Sequence, residues 1–130
     1  MTGQEKKTVL AFGTFDRLHE GHRFFLRSAR EHGERLVVVV ARDNNVEQIK
    51  GRLPREDEQT RRQKVQECEG VDEAQLGKEQ WEAHLDVLAE VKPDVICLGY
   101  DQKAVLPDGP WKVIRIDAFE PERYKSSLME

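Results

Sequence analysis

The sequence predicts one α/β domain over residues 1–130, a doubly wound parallel sheet with helices on both faces. Three observations predict this class. Short apolar runs alternate with longer amphipathic stretches, which is the order of strands and helices in α/β proteins. The clearest apolar runs lack polar alternation, as is typical of strands buried on both faces. The links between runs are short, and 130 residues is the usual size of one domain.

The first half of the chain supplies two strands and two helices. Residues 8–12 predict a strand, and the one-sided apolar face of residues 21–30 predicts the helix after it. Residues 35–41, with four consecutive valines, predict a strand buried on both faces. A polar, basic connection is expected over residues 42–55. A charged helix follows over residues 56–69.

The second half continues the alternation. Residues 71–76 predict a short strand, residues 78–91 a helix that ends before Pro93, and residues 94–98 another buried strand. Residues 112–116 predict a last strand, although charged residues interrupt it. This order implies right-handed crossovers, and in such sheets ligands bind at the carboxyl ends of the strands.

Composition excludes several functional classes. The chain has 21 basic and 25 acidic residues, and a net charge of −4 argues against a nucleic-acid-binding role. The longest apolar run, residues 36–41, is far shorter than the roughly 18 residues of a membrane span, and no signal peptide is visible. Cys68 and Cys97 form neither a disulfide framework nor a metal-ligand pair. We therefore expect a cytoplasmic protein with no membrane partner.

The segment after the first strand, Gly-Thr-Phe-Asp-Arg-Leu-His-Glu-Gly-His at residues 13–22, carries the strongest chemical signal. A glycine after a buried strand lets backbone N–H groups approach an anion. His19 and His22 are three apart, so at a helix start they share a face. Gly21 removes a side chain there, and the helix N-terminus favours negative charge. This predicts a polyphosphate site; the alternative is two exposed histidines at a helix cap.

This string resembles the signature of the cytidylyltransferase-like nucleotidyltransferases, and the resemblance extends over nearly the whole chain. It implies a Rossmann-like fold and the transfer of a nucleotidyl group to a phosphate-bearing acceptor with release of pyrophosphate. It also implies a divalent cation, Mg²⁺ above all, that arrives with the nucleotide and has no dedicated metal-binding residues. A homodimer is a further expectation from the resemblance.

The resemblance assigns residues to the site. It implies that His19, His22 and Lys50 are catalytic, with Lys50 in a mobile basic loop that reaches the triphosphate. Asp16 is expected to orient a histidine or a metal-bound water. The implied nucleotide-binding residues are Thr14, Phe15, His19, Glu20, Gly21, His22, Arg61, Asp101, Tyr124, Ser126 and Ser127.

Simpler interpretations of these residues stay open. Lys50 and its basic neighbours are also compatible with an ordinary solvated loop. Arg61 could pair with Glu58 or Glu69 on its own helix, and Asp101 could merely cap a turn.

Substrate identity depends on three further strings. The Leu-Gly-Tyr-Asp-Gln run at residues 98–102, the Val-Val-Ala-Arg-Asp run at residues 39–43 and the tyrosine before Ser126 most resemble archaeal-type FAD synthases. That subfamily transfers the adenylyl group of ATP to FMN. The alternative is a cytidylyltransferase that uses CTP and glycerol 3-phosphate or a related phosphometabolite. A third hypothesis is a non-catalytic nucleotide-binding module.

Overall fold

A computed structural model describes residues 6–80, 83, 85–99, 102 and 106–116. Its sheet has five strands in the order β3-β2-β1-β4-β5, and every neighbouring pair runs parallel. The strands are β1 (Thr8–Gly13), β2 (Arg35–Val40), β3 (Glu73–Leu76), β4 (Val95–Leu98) and β5 (Lys112–Arg115). All five lie inside or within one residue of the ranges that hydrophobic patterning predicts. The doubly wound α/β class is confirmed.

The described residues form four helices between these strands: α1 (Glu20–Arg30), α2 (Asp43–Lys50), α3 (Glu58–Gln66) and α4 (Val87–Val91). No helix of the described residues is long and apolar enough to cross a membrane. The first and third helices match their predictions, with α3 shorter at both ends. The expected connection over residues 42–55 is wrong in part, because its first half folds as α2. Only two apolar residues, Val46 and Ile49, mark that helix, which is too few for a periodic signal.

The helix expected over residues 78–91 is also wrong in part, because Lys78–Gln80 are not helical and α4 begins only at Val87. The carbonyls of this segment accept hydrogen bonds from side chains around α2 instead of from a helical ladder. Asn45 Nδ2 donates to the carbonyl of Lys78 at 2.8 Å, and Arg42 Nε donates to the carbonyl of Gly77 at 2.8 Å. These contacts fix the segment beside α2 in a non-helical conformation.

Two separate apolar clusters cover the two faces of the sheet. Alternate residues of β1 and β2 point to opposite sides, so Val9 and Val38 pack with α1 and α3, whereas Leu10 and Val37 pack with α4. The uninterrupted valines of β2 follow from this arrangement, since a strand covered on both faces has no solvent-facing side.

The central strand β1 pairs with β2 along one edge and with β4 along the other. Chain order reverses between these two neighbours, which makes the β1–β4 boundary the switch point of the sheet. The loop after Gly13 therefore begins at the place where open parallel sheets bind their ligands.

Candidate active site

His19 and His22 form a capping box at the N-terminus of α1. His19 is the N-cap residue, and its Nδ1 accepts a hydrogen bond from the backbone N–H of Gly21 at 3.1 Å. The backbone N–H of His19 donates in turn to Nδ1 of His22 at 3.2 Å. The two rings stack with their centroids 3.8 Å apart. Because both Nδ1 atoms are acceptors, the neutral form of each ring carries its proton on Nε2.

The surroundings keep both imidazoles uncharged. Burial lowers the pKa of His22 to about 3, and the charges of His19, Arg23 and Lys50 add to the effect, against Asp16. Burial, followed by the charge of Arg23, also lowers the pKa of His19. At neutral pH the pair therefore offers two neutral Nε2–H donors rather than two cations. Such donors stabilise charge that develops on a phosphate without a proton transfer.

The loop between β1 and α1 is held in an unusual backbone conformation. Phe15 and Arg17 both lie in the left-handed region, at φ of 55° and 51°. The ring of Phe15 is buried and meets the imidazole of His22 edge-on, with centroids 5.5 Å apart. A Cβ on Gly13 would stand 2.6 Å from that ring, so glycine makes room for Phe15. The structure thus gives Gly13 a packing role that the sequence interpretation missed.

The basic segment, residues 50–55, begins at the end of α2. Lys50 is an exposed residue in the last turn of that helix, and Gly51 ends the helix in the left-handed conformation at φ 79°. The positive charge of Lys50 contributes to the lowered pKa of His22, which indicates that the two side chains belong to one electrostatic neighbourhood. The histidines follow β1 and Lys50 follows β2, which is the neighbour of β1, and the catalytic roles of the three residues stay predictions.

Arg61 is completely buried and has internal partners. Its guanidinium donates to Oδ1 of Asp43 at 2.6 Å and to the carbonyls of Thr14, Ala41 and Glu56 at 2.9, 2.8 and 3.0 Å. The alternative interpretation, a pairing with Glu58 or Glu69, is therefore wrong, since the partner carboxylate is that of Asp43. Arg61 ties the ends of β1 and β2 to α2 and α3, and its contact with nucleotide stays a prediction.

The remaining predicted site residues fall into two groups. Glu20 is exposed and forms an ion pair with Arg23 at 3.1 Å, and Thr14 contributes its carbonyl to Arg61. The other four lie outside the described residues, and their roles stay predictions: Asp101, Tyr124, Ser126 and Ser127.

Gln102 is a structural contributor that sequence reasoning did not single out. Its Oε1 accepts from the N–H of Gly99 at 3.1 Å, and its Nε2 donates to the carbonyl of Phe12 at 3.2 Å. Arg115 donates to the carbonyls of Gly99 and Gln102 at 2.6 and 2.7 Å. The turn after β4 is thereby fastened to the end of β1. No local pattern signals this contact, because it joins residues 90 positions apart.

A comparison with known protein families gives a match that fits both the sequence of the site and the parallel sheet. The model of the cytidylyltransferase-like family matches residues 10–119. The chain belongs to this family, as its resemblance implied.

Among curated proteins, the chain is similar to two FAD synthases. It is 48% identical over 95 residues to the one from Aciduliprofundum boonei and 45% identical over 95 residues to the one from Thermoplasma acidophilum. The matched part is 73% of this chain in both cases, and it covers 62% and 65% of the two relatives. The chain thus spans less than two thirds of the length of these relatives.

Solved structures agree on the architecture. A lipopolysaccharide core biosynthesis protein from Thermoplasma volcanium superposes with a TM-score of 0.79 at 37% identity, covering 89% of this chain and 100% of the other. A pantothenate synthetase from Thermus thermophilus superposes with a TM-score of 0.58 at 16% identity, covering 95% and 64%. The second likeness concerns the fold alone.

Proposed function

We propose that this chain transfers the adenylyl group of ATP to FMN, giving FAD and pyrophosphate. The observation that carries the proposal is the pair of neutral imidazoles at the N-terminus of α1, placed at the switch point of the sheet. Two Nε2–H donors beside a helix N-terminus suit a polyphosphate. The choice of ATP and FMN is supported by the similarity to two proteins named FAD synthase.

The proposed reaction needs no covalent intermediate. An oxygen of the FMN phosphate attacks the α-phosphorus of ATP, and the bond from that phosphorus to the bridging oxygen of the β-phosphate breaks. Pyrophosphate leaves with the electron pair of that bond. Catalysis then consists of positioning both phosphates and stabilising the charge that shifts toward the leaving group.

Each residue of the described site has a distinct task in this scheme. His19 and His22 donate Nε2–H hydrogen bonds to the α- and β-phosphates, and the capping box keeps both tautomers suited to that task. Lys50 and Arg52 neutralise the departing pyrophosphate. Arg61 acts from beneath the site by holding the carbonyl of Thr14.

A divalent cation bound with the nucleotide would supply further neutralisation of phosphate charge. Within the described residues, no three histidine, cysteine or carboxylate side chains are grouped as a metal site. Both carboxylate oxygens of Asp16 accept backbone N–H groups. The cation would therefore be held mainly by phosphate oxygens, as Mg²⁺ commonly is.

The residues that close the site are part of the same proposal. Asp101, Tyr124, Ser126 and Ser127 bind the nucleotide, as the resemblance implies. A homodimer and a cytoplasmic setting complete it. The two cysteines, neither of which is in a disulfide, suit a reducing compartment.

The test is pyrophosphate release by the purified chain, with ATP or CTP crossed against FMN or glycerol 3-phosphate, in Mg²⁺ and then in Mn²⁺. We expect release only with ATP plus FMN, with FAD as the product. Release only with CTP plus glycerol 3-phosphate would refute the substrate assignment and leave the histidine roles intact. Bound nucleotide without release in any combination would favour a non-catalytic binding module.

A matched pair of variants connects that activity to the site. His22→Asn keeps an amide oxygen near the position of Nδ1 and removes the proposed Nε2–H donor. Asp94→Asn alters a carboxylate that binds the N–H of Thr8 at 2.8 Å, at the amino end of the sheet. Only the first variant should lose turnover. Equal losses in both would attribute the effect to stability rather than to chemistry.

A further inference from the structure

The carboxylates of Asp16 and Glu56 each accept backbone N–H groups from the segment that carries the other. The carboxylate of Asp16 accepts the N–H groups of Arg55 and Glu56 at 2.8 and 3.0 Å. Oε1 of Glu56 accepts the N–H of Arg17 at 3.0 Å, and its Oε2 pairs with Lys64. Three hydrogen bonds thus join the loop that precedes His19 to the far end of the basic segment. This differs from the expectation that Asp16 orients a histidine or a water.

The loop that carries Asp16 needs such an external anchor. The residues on either side of it, Phe15 and Arg17, both have positive φ values, and each non-glycine residue in that region costs on the order of 1–3 kcal/mol. A conformation of this cost persists only where its surroundings fix it. The bonds from Asp16 and Glu56 do so from one side, and the bond from Arg61 to the carbonyl of Thr14 does so from below.

The same bonds fix the basic segment. Its first end is set by α2, where the N–H of Gly51 donates to the carbonyl of Glu47 at 2.8 Å. Its second end is set by Asp16, which holds Arg55 and Glu56. Because both ends of this short segment are fixed, its basic side chains can occupy only a small region of space. The position of the basic segment is therefore defined relative to the loop between β1 and α1, and not relative to α2 alone.

We propose that Asp16 and Glu56 form a clamp that sets the position of the basic segment, residues 50–55, relative to His19 and His22. Neither residue has to touch the nucleotide, so both are positioning residues. The proposal deepens the proposed function and rests on it, because the segment is taken to bind the triphosphate. It predicts that Asp16 affects nucleotide affinity through Lys50.

The first experiment needs no substrate. Asp16→Asn keeps the shape but turns one acceptor oxygen into an NH₂ donor that faces a backbone N–H. Amide hydrogen exchange of the full chain should speed up at least tenfold at whichever of Arg55 and Glu56 then faces the NH₂ group. The control is Asp72→Asn, whose carboxylate binds the N–H of Leu36 at 2.8 Å at the opposite end of the sheet. Unchanged exchange at Arg55 and Glu56 in Asp16→Asn would overturn the clamp.

The second experiment is a double-mutant cycle of Asp16→Asn and Lys50→Ala, measured as the Kd for ATP by calorimetry without an acceptor. We expect Asp16→Asn to weaken ATP binding about tenfold in the parent chain and less than about twofold in the Lys50→Ala background. Independent, additive effects would refute positioning through the basic segment. A merely destabilising substitution would give that additive result, because it does not depend on Lys50.

Two further variants keep the test decisive. Glu56→Ala removes the bond to Arg17 and should reproduce the loss of affinity if Asp16→Asn fails to fold. Glu56→Gln keeps the Oε1 acceptor and should retain most of the affinity for ATP. A Glu56→Gln variant as impaired as Glu56→Ala would contradict the clamp. Failure of the proposed function would appear separately, as ATP binding without FAD formation by the unaltered chain.

Discussion

The imidazole of His19 has two nitrogens with two separable tasks. Nδ1 caps α1 by accepting the N–H of Gly21, whereas Nε2–H is the donor proposed to bind phosphate. Asparagine places an amide oxygen where Nδ1 stands, and glutamine reaches the position of Nε2. His19→Asn should therefore keep the cap and lose the donor. His19→Gln should lose the cap and keep a donor.

The expected magnitudes differ between the two tasks. Losing an N-cap costs about 1 kcal/mol, which in a domain of this size lowers Tm by roughly 3–6 °C. His19→Gln should show that loss and retain a measurable fraction of turnover. His19→Asn should melt within about 1 °C of the parent chain, yet lose about 10²–10³-fold in kcat/KM, the usual effect of removing one preorganised donor.

The assays are thermal denaturation by circular dichroism and pyrophosphate release with ATP and FMN. His32→Asn is the control, because His32 is exposed beyond the end of α1, and it should change neither quantity. If His19→Asn lowered Tm as much as His19→Gln, the capping assignment would be wrong. If it kept full activity, His19 would not be a phosphate donor.

Three other predictions concern stability. Since the pKa of His22 is lowered to about 3, the unfolded chain binds a proton below pH 6.5 that the folded chain does not. The free energy of unfolding should fall by up to about 1.4 kcal/mol per pH unit between about pH 6 and 4, and urea titrations of His22→Asn should lack that contribution. If the free energy of unfolding depended equally on pH in both proteins, the pH dependence would not come from His22. Arg61→Met should cost about 3–5 kcal/mol because it removes the donor to three backbone carbonyls and to the half-buried carboxylate of Asp43. A loss below about 1 kcal/mol in urea titrations would refute the bonding described. Gly33→Ala places a Cβ 2.7 Å from the carbonyl oxygen of Lys7 and should lower the free energy of unfolding by about 1–3 kcal/mol. The Kd for ATP should stay unchanged. A changed Kd would place this turn in contact with the site.

Hydrophobic patterning sufficed for the centre of the sheet because β1, β2 and β4 are largely buried on both faces. The uninterrupted valines of β2 predicted a strand buried on both faces, and the string at residues 13–22 predicted the candidate site, whose role stays a prediction. The helix α2 escaped prediction because packing and a glycine stop, rather than an apolar stripe, define it. A polar helix of eight residues gives patterning too little to detect.

The internal bonding of the site lay beyond one-dimensional reasoning. Arg61 draws its partners from segments around residues 14, 41, 43 and 56, and no spacing rule connects those positions. The capping box is different, since its signal was available. A side chain that can accept at the N-cap, followed three residues later by another, is a known helix start, and His19 and His22 fit that pattern.

The central position of β1 has a consequence for how the chain is made. Thr8 pairs with nearby Arg35, but Val9 also pairs with Val95, which leaves the ribosome much later. Until then one side of β1 is an open edge that can join another strand. A nascent chain that lacks β4 also lacks Gln102, which anchors the carbonyl of Phe12. The loop between β1 and α1 therefore reaches its final position only after most of the polypeptide has been synthesised. Early release of the chain would yield aggregation-prone fragments rather than a partly working protein.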